Sequence, residues 1–107
     1  MATIDDLVKI VVKIGTVVYA ERVVDTDKLL RLMVDFGEET PRQIVSGISA
    51  YTTPEALVGR QLAFVANLQP RTIRGLESNG MLFAVGSGET FSFLVPDRPV
   101  PPGTSAN

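Results

Sequence analysis

The sequence predicts an all-β domain, a small five-stranded barrel. Three observations carry that prediction. Short runs rich in Val, Ile, Thr, Tyr and Phe recur along the chain, and one of them alternates apolar with polar residues as a half-buried strand must. Polar or glycine-containing turns separate these runs. Helix signals are confined to two short stretches, at Thr3–Asp6 and Thr53–Leu57. At 107 residues and 45% apolar content, the chain suits one domain with one core and needs no metal or disulfide staple. We expect a single domain over residues 1–107, with its core at about 10–95 and an extended Pro-rich tail at 96–107.

Each element follows from local chemistry. Thr3-Ile4-Asp5-Asp6 reads as a short helical lead-in, with Thr3 as cap and two aspartates at the positive end of the helix dipole. Val11 to Val24 favours a long first strand, and Gly15 within it suggests a bend or bulge. After the polar turn Asp25-Thr26-Asp27-Lys28, the segment Leu29–Phe36 places Leu30, Leu32, Val34 and Phe36 on one face and Arg31 and Asp35 on the other. Gly37-Glu38-Glu39 is a tight turn, so Thr40–Ile48 should return as a hairpin partner. Thr53-Pro54-Glu55 carries a cap, a proline at the first helical position and an acid in the first turn. Gln61–Ala66, Met81–Val85 and Phe91–Val95 complete the strands, and the four prolines of Pro96–Pro102 imply an extended tail. Three strands, a short helix and two or three further strands, with N- and C-terminal extensions, match a five-stranded Greek-key OB-fold barrel. That fold binds ligands on its second and third strands and on the loops after strands one and four.

Composition excludes several functions. There is no cysteine, so neither a disulfide framework nor a thiolate metal site is available. There is no histidine, which removes the imidazole base, the Ser-His-Asp triad and His-ligated zinc. No cofactor is implied, and the close carboxylates Asp25/Asp27 and Glu38/Glu39 read as turn formers. No apolar run approaches the roughly 18 residues that a membrane span needs. The acidic N-terminus does not read as a signal peptide, and a cytoplasmic protein is expected. Net charge is −2, from 12 acidic and 10 basic residues. A polyanion would therefore have to be met by a local patch.

The segment Asn67 to Gly80 offers one. It exceeds ordinary hairpin-loop lengths, and long loops of this kind are usually functional or disordered. It holds Asn67, Gln69, Arg71, Arg74, Ser78 and Asn79, with Glu77 as its only acid. Arginine presents a planar fork of donors that fits phosphate oxygens, while amides and hydroxyls suit ribose and base edges. Lys28 and Arg31, at the turn into strand two, and Arg42 and Gln43, opening strand three, fall in the other regions that this fold uses for ligands.

Arg42-Gln43-Ile44-Val45-Ser46-Gly47-Ile48, Asn67-Leu68-Gln69-Pro70-Arg71 with Arg74-Gly75, and Ser78-Asn79-Gly80-Met81 resemble the tRNA-binding domain appended to methionyl-tRNA synthetases. Asp27-Lys28-Leu29-Leu30 and Pro102-Gly103 fit the same pattern, and the likeness covers about residues 4–104. Three positions depart from it. The turn before Asp27 lacks His-Pro, Thr72 stands where a lysine is common, and Asn79 stands where a glutamate is usual. The same domain resembles stand-alone tRNA-binding proteins and CsaA-like export chaperones. The resemblance implies a non-catalytic domain that grips tRNA by shape, as a synthetase's C-terminal domain, its separate beta subunit or an independent protein. It implies a homodimer and leaves open a methionyl-tRNA synthetase catalytic subunit as partner. On this reading Arg71 and Arg74 contact phosphates, Lys28, Arg42 and Gln43 extend the patch, and Asn67 and Ser78 orient the loop or touch ribose. Met81 anchors the loop's return or packs against a base. The alternative implied by the same resemblance is a chaperone binding unfolded peptides.

Overall fold

The computed structural model describes residues 1–106; Asn107, the last residue of the expected tail, lies outside the described residues. A short helix, α1 (Ile4–Leu7), opens the chain, and its cap is closed by the Thr3 N–H donating to the Asp6 carboxylate at 3.0 Å. The strands β1 (Val12–Arg22), β2 (Leu30–Asp35) and β3 (Arg42–Ser46) follow. The helix α2 (Pro54–Leu57) precedes β4 (Gln61–Val65). The Thr53 hydroxyl accepts from the Ala56 N–H at 3.2 Å, the capping that its sequence implies. These strands and β7 (Met81–Leu82) form one antiparallel sheet in the order β3-β2-β1-β4-β7. Between β4 and β7 lie β5 (Arg71–Ile73) and β6 (Leu76–Ser78), and after β7 come β8 (Ala84–Val85) and β9 (Ser92–Phe93).

The sheet curls into a nearly closed barrel because β1 serves two partners. Its first half, Val12–Thr16, pairs with β4, and its second half, Thr16–Arg22, pairs with β2. The chain turns its corner where the partners change, at Gly15 and Thr16. Gly15 is required there by a close approach. A Cβ on it would stand 2.8 Å from Phe36 Cε1 and would overlap Val34 Cγ1. The register irregularity itself falls later than the sequence suggests, between Val17 and Tyr19. Inside the barrel, the alternation of β2 buries Leu30, Leu32 and Val34 completely, against Val17, Ile44, Leu57, Leu62 and Phe64. Phe36 and Phe64 meet edge to face at 5.5 Å.

Closure is made by the segment after β5. On the free edge of β3, the Val45 N–H donates to Ser78 Oγ at 3.0 Å, and the Gln43 carbonyl accepts from the Asn79 N–H at 2.8 Å. The serine hydroxyl stands in for a missing ladder acceptor. The expected fifth strand, Met81–Val85, is divided at Phe83. The reason lies in Ala63, whose carbonyl accepts from the Phe83 N–H at 2.9 Å and whose N–H donates to the Leu94 carbonyl at 3.0 Å. The chain leaves the barrel sheet there, and β8 pairs with β9 as a separate ribbon.

The Pro-rich tail is extended, as expected, but it is also paired. Gln61 clamps Val100 with both ends of its amide, donating to the Val100 carbonyl at 2.7 Å and accepting from its N–H at 3.0 Å. The Gly103 N–H then donates to the Ile14 carbonyl at 2.7 Å. The Thr104 carbonyl accepts from the Ile14 N–H at 2.9 Å, and the Ala106 N–H donates to the Val12 carbonyl at 2.8 Å. The tail thus covers the half of β1 that β2 leaves bare. Among the described residues no helix is long and apolar enough to cross a membrane.

Candidate nucleic-acid interface

The long segment 67–80 is a hairpin, not an irregular loop. β5 and β6 pair antiparallel, with Arg71 opposite Ser78, Thr72 opposite Glu77 and Ile73 opposite Leu76. Arg74 and Gly75 form the two-residue turn, at φ 52° and 79°. Positive φ at both positions matches the right-handed twist of the strands. Gly75 takes that conformation freely, whereas for Arg74 it costs on the order of 1 kcal/mol. The hairpin therefore holds one arginine at its tip and another at its base.

The eight residues singled out in the sequence separate into two groups. Arg42, Gln43, Asn67 and Ser78 are engaged in building the barrel. The Arg42 guanidinium forks onto Glu38, Nε to Oε1 at 2.8 Å and Nη2 to Oε2 at 2.7 Å, and its Nη1 donates to the Ala66 carbonyl at 2.6 Å. It also lies over the Phe36 ring, 5.1 Å from the centroid. This arginine fastens the turn after β2 to the end of β4, and each of its three nitrogens already has a partner within the fold. Gln43 accepts from Arg31 Nε at 2.9 Å and donates to the Glu77 carbonyl at 2.9 Å. Asn67 accepts from the Val11 N–H at 2.9 Å and donates to the Lys9 carbonyl at 2.8 Å, which ties the N-terminal segment to β4. Ser78 is buried, with its hydroxyl shared between Val45 and Gly80.

The other four are accessible. Arg71, Arg74 and Lys28 are exposed, and Met81 is 46% exposed. Arg71, Met81, Leu68 and Ile73 border a cavity of about 70 Å³ beside Ser78. Arg74 meets two arginines outside that set of eight. With Arg22, Arg31, Glu21 and Leu76 it lines an open recess of about 320 Å³. Arg22 escaped notice because it sits at the end of a strand read for its apolar pattern. The sequence marks Arg31 as a charge on the polar face of β2 near its opening turn, and the β1–β2 register sets it directly opposite Glu21. Its Nη1 stands 3.5 Å from Glu21 Oε1, buried and without a hydrogen bond. Glu21 also accepts from the Tyr19 hydroxyl at 2.9 Å, and that hydrogen bond raises the phenol pKa above its ordinary value. The two recesses share the β5–β6 hairpin as a wall. No carboxylate lies within 4.0 Å of Arg22, Arg71, Arg74 or Lys28 among the described residues.

The Arg42–Glu38 pair yields a prediction. The hydrogen bond from Arg42 lowers the Glu38 pKa, and the same bond raises that of Arg42. A carboxylate with a lowered folded pKa contributes stability that is present above its unfolded pKa and lost as pH falls through the folded value. Replacing Glu38 by Gln should therefore flatten acid denaturation while costing under about 1 kcal/mol at neutral pH, since the pair is partly exposed. Arg42→Ala should cost more, about 2 kcal/mol, because it strands the Ala66 carbonyl and uncovers Phe36. Urea unfolding at neutral and acid pH measures both.

A family profile described as "Putative tRNA binding domain" matches residues 12–105. The methionine–tRNA ligase of Methanocorpusculum labreanum is 54% identical over 105 residues, which cover 98% of this chain and 15% of the ligase. The chain thus spans about 15% of the length of its ligase relatives. A crystal structure of a MetRS-related protein from Pyrococcus horikoshii superposes with a TM-score of 0.91 at 36% identity, covering 99% of this chain and 97% of that one. The chaperone CsaA of Bacillus anthracis superposes at 0.87 with 31% identity, covering 100% of this chain and 99% of that one.

Proposed function

This chain belongs to the tRNA-binding domain family, and we propose that it binds folded tRNA by shape and catalyses nothing itself. The observation that carries the reading is the set of cationic side chains left without carboxylate partners at one hairpin, Arg71 and Arg74 on it and Arg22 beside it, with Lys28 also exposed and unpaired among the described residues. Phosphates would be met first by Arg71 and Arg74, with Arg22, Arg31 and Lys28 extending the surface. Met81, apolar and accessible beside Arg71, would pack on a ribose or base. Arg42, Gln43, Asn67 and Ser78 support binding indirectly, by holding β3, β4 and the hairpin in register. Each neutralised phosphate releases counterions. Four or five such contacts predict a slope of log affinity against log salt of roughly −3 to −5. Filter retention of bulk tRNA between low and high salt measures it, and salt-independent retention would contradict the reading.

In its biological setting, the domain would add tRNA affinity to a methionine–tRNA ligase, either as an appended domain or as a beta subunit acting in trans. Its place would then be the cytoplasm. A homodimer would join two cationic surfaces and raise a modest affinity by effective concentration. The apolar face formed by Ile4, Leu7, Val8 and Ile10, exposed beside Ser105 and Ala106, suits a second copy. Sedimentation of the wild type against Leu7→Asp reads this out. The likeness to CsaA supports a second reading, capture of unfolded peptides. Retention of unfolded polypeptide but not of tRNA would favour that alternative.

A further inference from the structure

A second surface joins aromatic rings, two of them half-buried against the core, to an arginine whose side chain the fold leaves unpaired with any carboxylate among the described residues. Beyond α2, against the β8–β9 ribbon, lies an open recess of about 590 Å³ bordered by Tyr51, Arg60, Phe91, Ser92, Phe93 and Val95. Its size is that of an ordinary small-ligand cleft, in the range of about 300–1,000 Å³. Tyr51 and Phe91 stack face to face, with centroids 4.0 Å apart and planes at 2°. Phe93 meets Phe91 edge-on at 5.1 Å. The Tyr51 hydroxyl accepts from the Gly88 N–H at 3.3 Å, which fixes the outer ring, and Tyr51 remains 41% exposed.

Arg60 stands at the rim. Its guanidinium lies 5.1 Å from the centroid of the Phe93 ring and has no carboxylate within 4.0 Å among the described residues. It also borders a neighbouring recess of about 480 Å³ next to Pro96 and Arg98. The aromatic contact orients the guanidinium and leaves its hydrogen-bond donors free. The backbone of Arg60 already serves the fold, its carbonyl accepting from the Val17 N–H at 2.9 Å, but its side chain is given no such duty.

The segment that leads into the recess is tied by its backbone to the turn that carries Lys28. The Ser49 N–H donates to the Lys28 carbonyl at 3.2 Å, and the Ser49 hydroxyl donates to the Asp27 carbonyl at 2.5 Å. Ala50 and Tyr51, which border the recess, follow directly in the chain.

We infer that this recess takes one unstacked nucleotide of the bound RNA, its base against the Tyr51–Phe91 cluster and its phosphate on Arg60. The inference rests on the tRNA-binding reading above. Every base offers a π-face to an aromatic side chain, so such a site is indifferent to sequence and suits recognition by shape. An unpaired guanidinium beside the aromatic rings adds the anion preference that an apolar peptide would not require.

Zero-length ultraviolet crosslinking of bulk tRNA to the wild-type protein, followed by peptide mapping, tests it together with Arg60→Ala and Arg60→Gln. The expected result is a crosslink in the peptides carrying Tyr51 or Phe91 and a 3- to 10-fold loss of tRNA affinity in both variants, with unfolding midpoints unchanged. If tRNA binds with normal salt dependence, gives no crosslink there and is held within twofold by both variants, the recess inference falls and the tRNA-binding reading stands. If the wild type retains no tRNA, both fall. Protection of Tyr51 by unfolded polypeptide and not by tRNA would also overturn the inference.

Discussion

Arg71→Glu combined with Arg74→Glu is expected to weaken tRNA binding by about 100-fold at low salt, roughly 2.7 kcal/mol. The two side chains are the base and the tip of one hairpin, both exposed, and neither has a carboxylate oxygen within 4.0 Å among the described residues. Reversal replaces two attractions to phosphate with two repulsions. The cost to the fold should be within about 0.5 kcal/mol, because exposed side chains away from caps and networks contribute little. The salt slope should shrink by about two, one for each lost contact. A variant that keeps affinity within twofold would remove the hairpin from the interface.

The complementary result is a loss of stability without loss of the site. Gly15→Ala is expected to destabilise the domain by about 2–3 kcal/mol, the usual cost of overpacking. The added methyl would sit 2.8 Å from Phe36 Cε1 and within Val34 Cγ1, and both neighbours are core residues fixed in the barrel. Relief would have to come from opening the corner where β1 exchanges β4 for β2. Gly15→Val should prevent folding. At temperatures where Gly15→Ala remains folded, its tRNA affinity should equal that of the wild type, since the atoms that its methyl would meet belong to Val34 and Phe36 and to none of the residues proposed to contact RNA. Thermal unfolding followed by binding at two temperatures separates the two effects.

What could be seen from sequence, and what could not, follows the range of the interactions involved. The alternation of Leu30, Leu32, Val34 and Phe36 is local and marks β2 directly, and the caps of α1 and α2 are legible within four residues. The hairpin at 71–78 was missed because its turn is Arg-Gly, where the usual signal is Asn-Gly or Asp-Gly. The pairing of the tail was invisible for a different reason. Nothing in Gly103-Thr104-Ser105 announces that the first half of β1 lacks a neighbour on one side. The partners of several candidate site residues are hidden from the sequence for the same reason. Arg42 has one local partner, Glu38 four residues before it, but its bond to the Ala66 carbonyl spans 24 residues and that of Gln43 to the Glu77 carbonyl spans 34. Ser78 was legible as a polar residue in a polar segment, but its burial follows from closure of the barrel against β3. The exposure of the hairpin arginines is a more local matter. Arg71 and Arg74 are placed by short-range hairpin geometry, and in such an element a long polar side chain stays outside.

The central claim is that folded RNA lies on the β5–β6 hairpin while the Arg42–Gln43–Ser78 network only supports it. Amide hydrogen exchange of the wild type, with and without saturating tRNA at low salt, tests this most directly. Slowed exchange concentrated in residues 71–76 and 22–29, lost again at high salt, is the predicted result. Unchanged exchange across 71–76 while the RNA remains bound would contradict it.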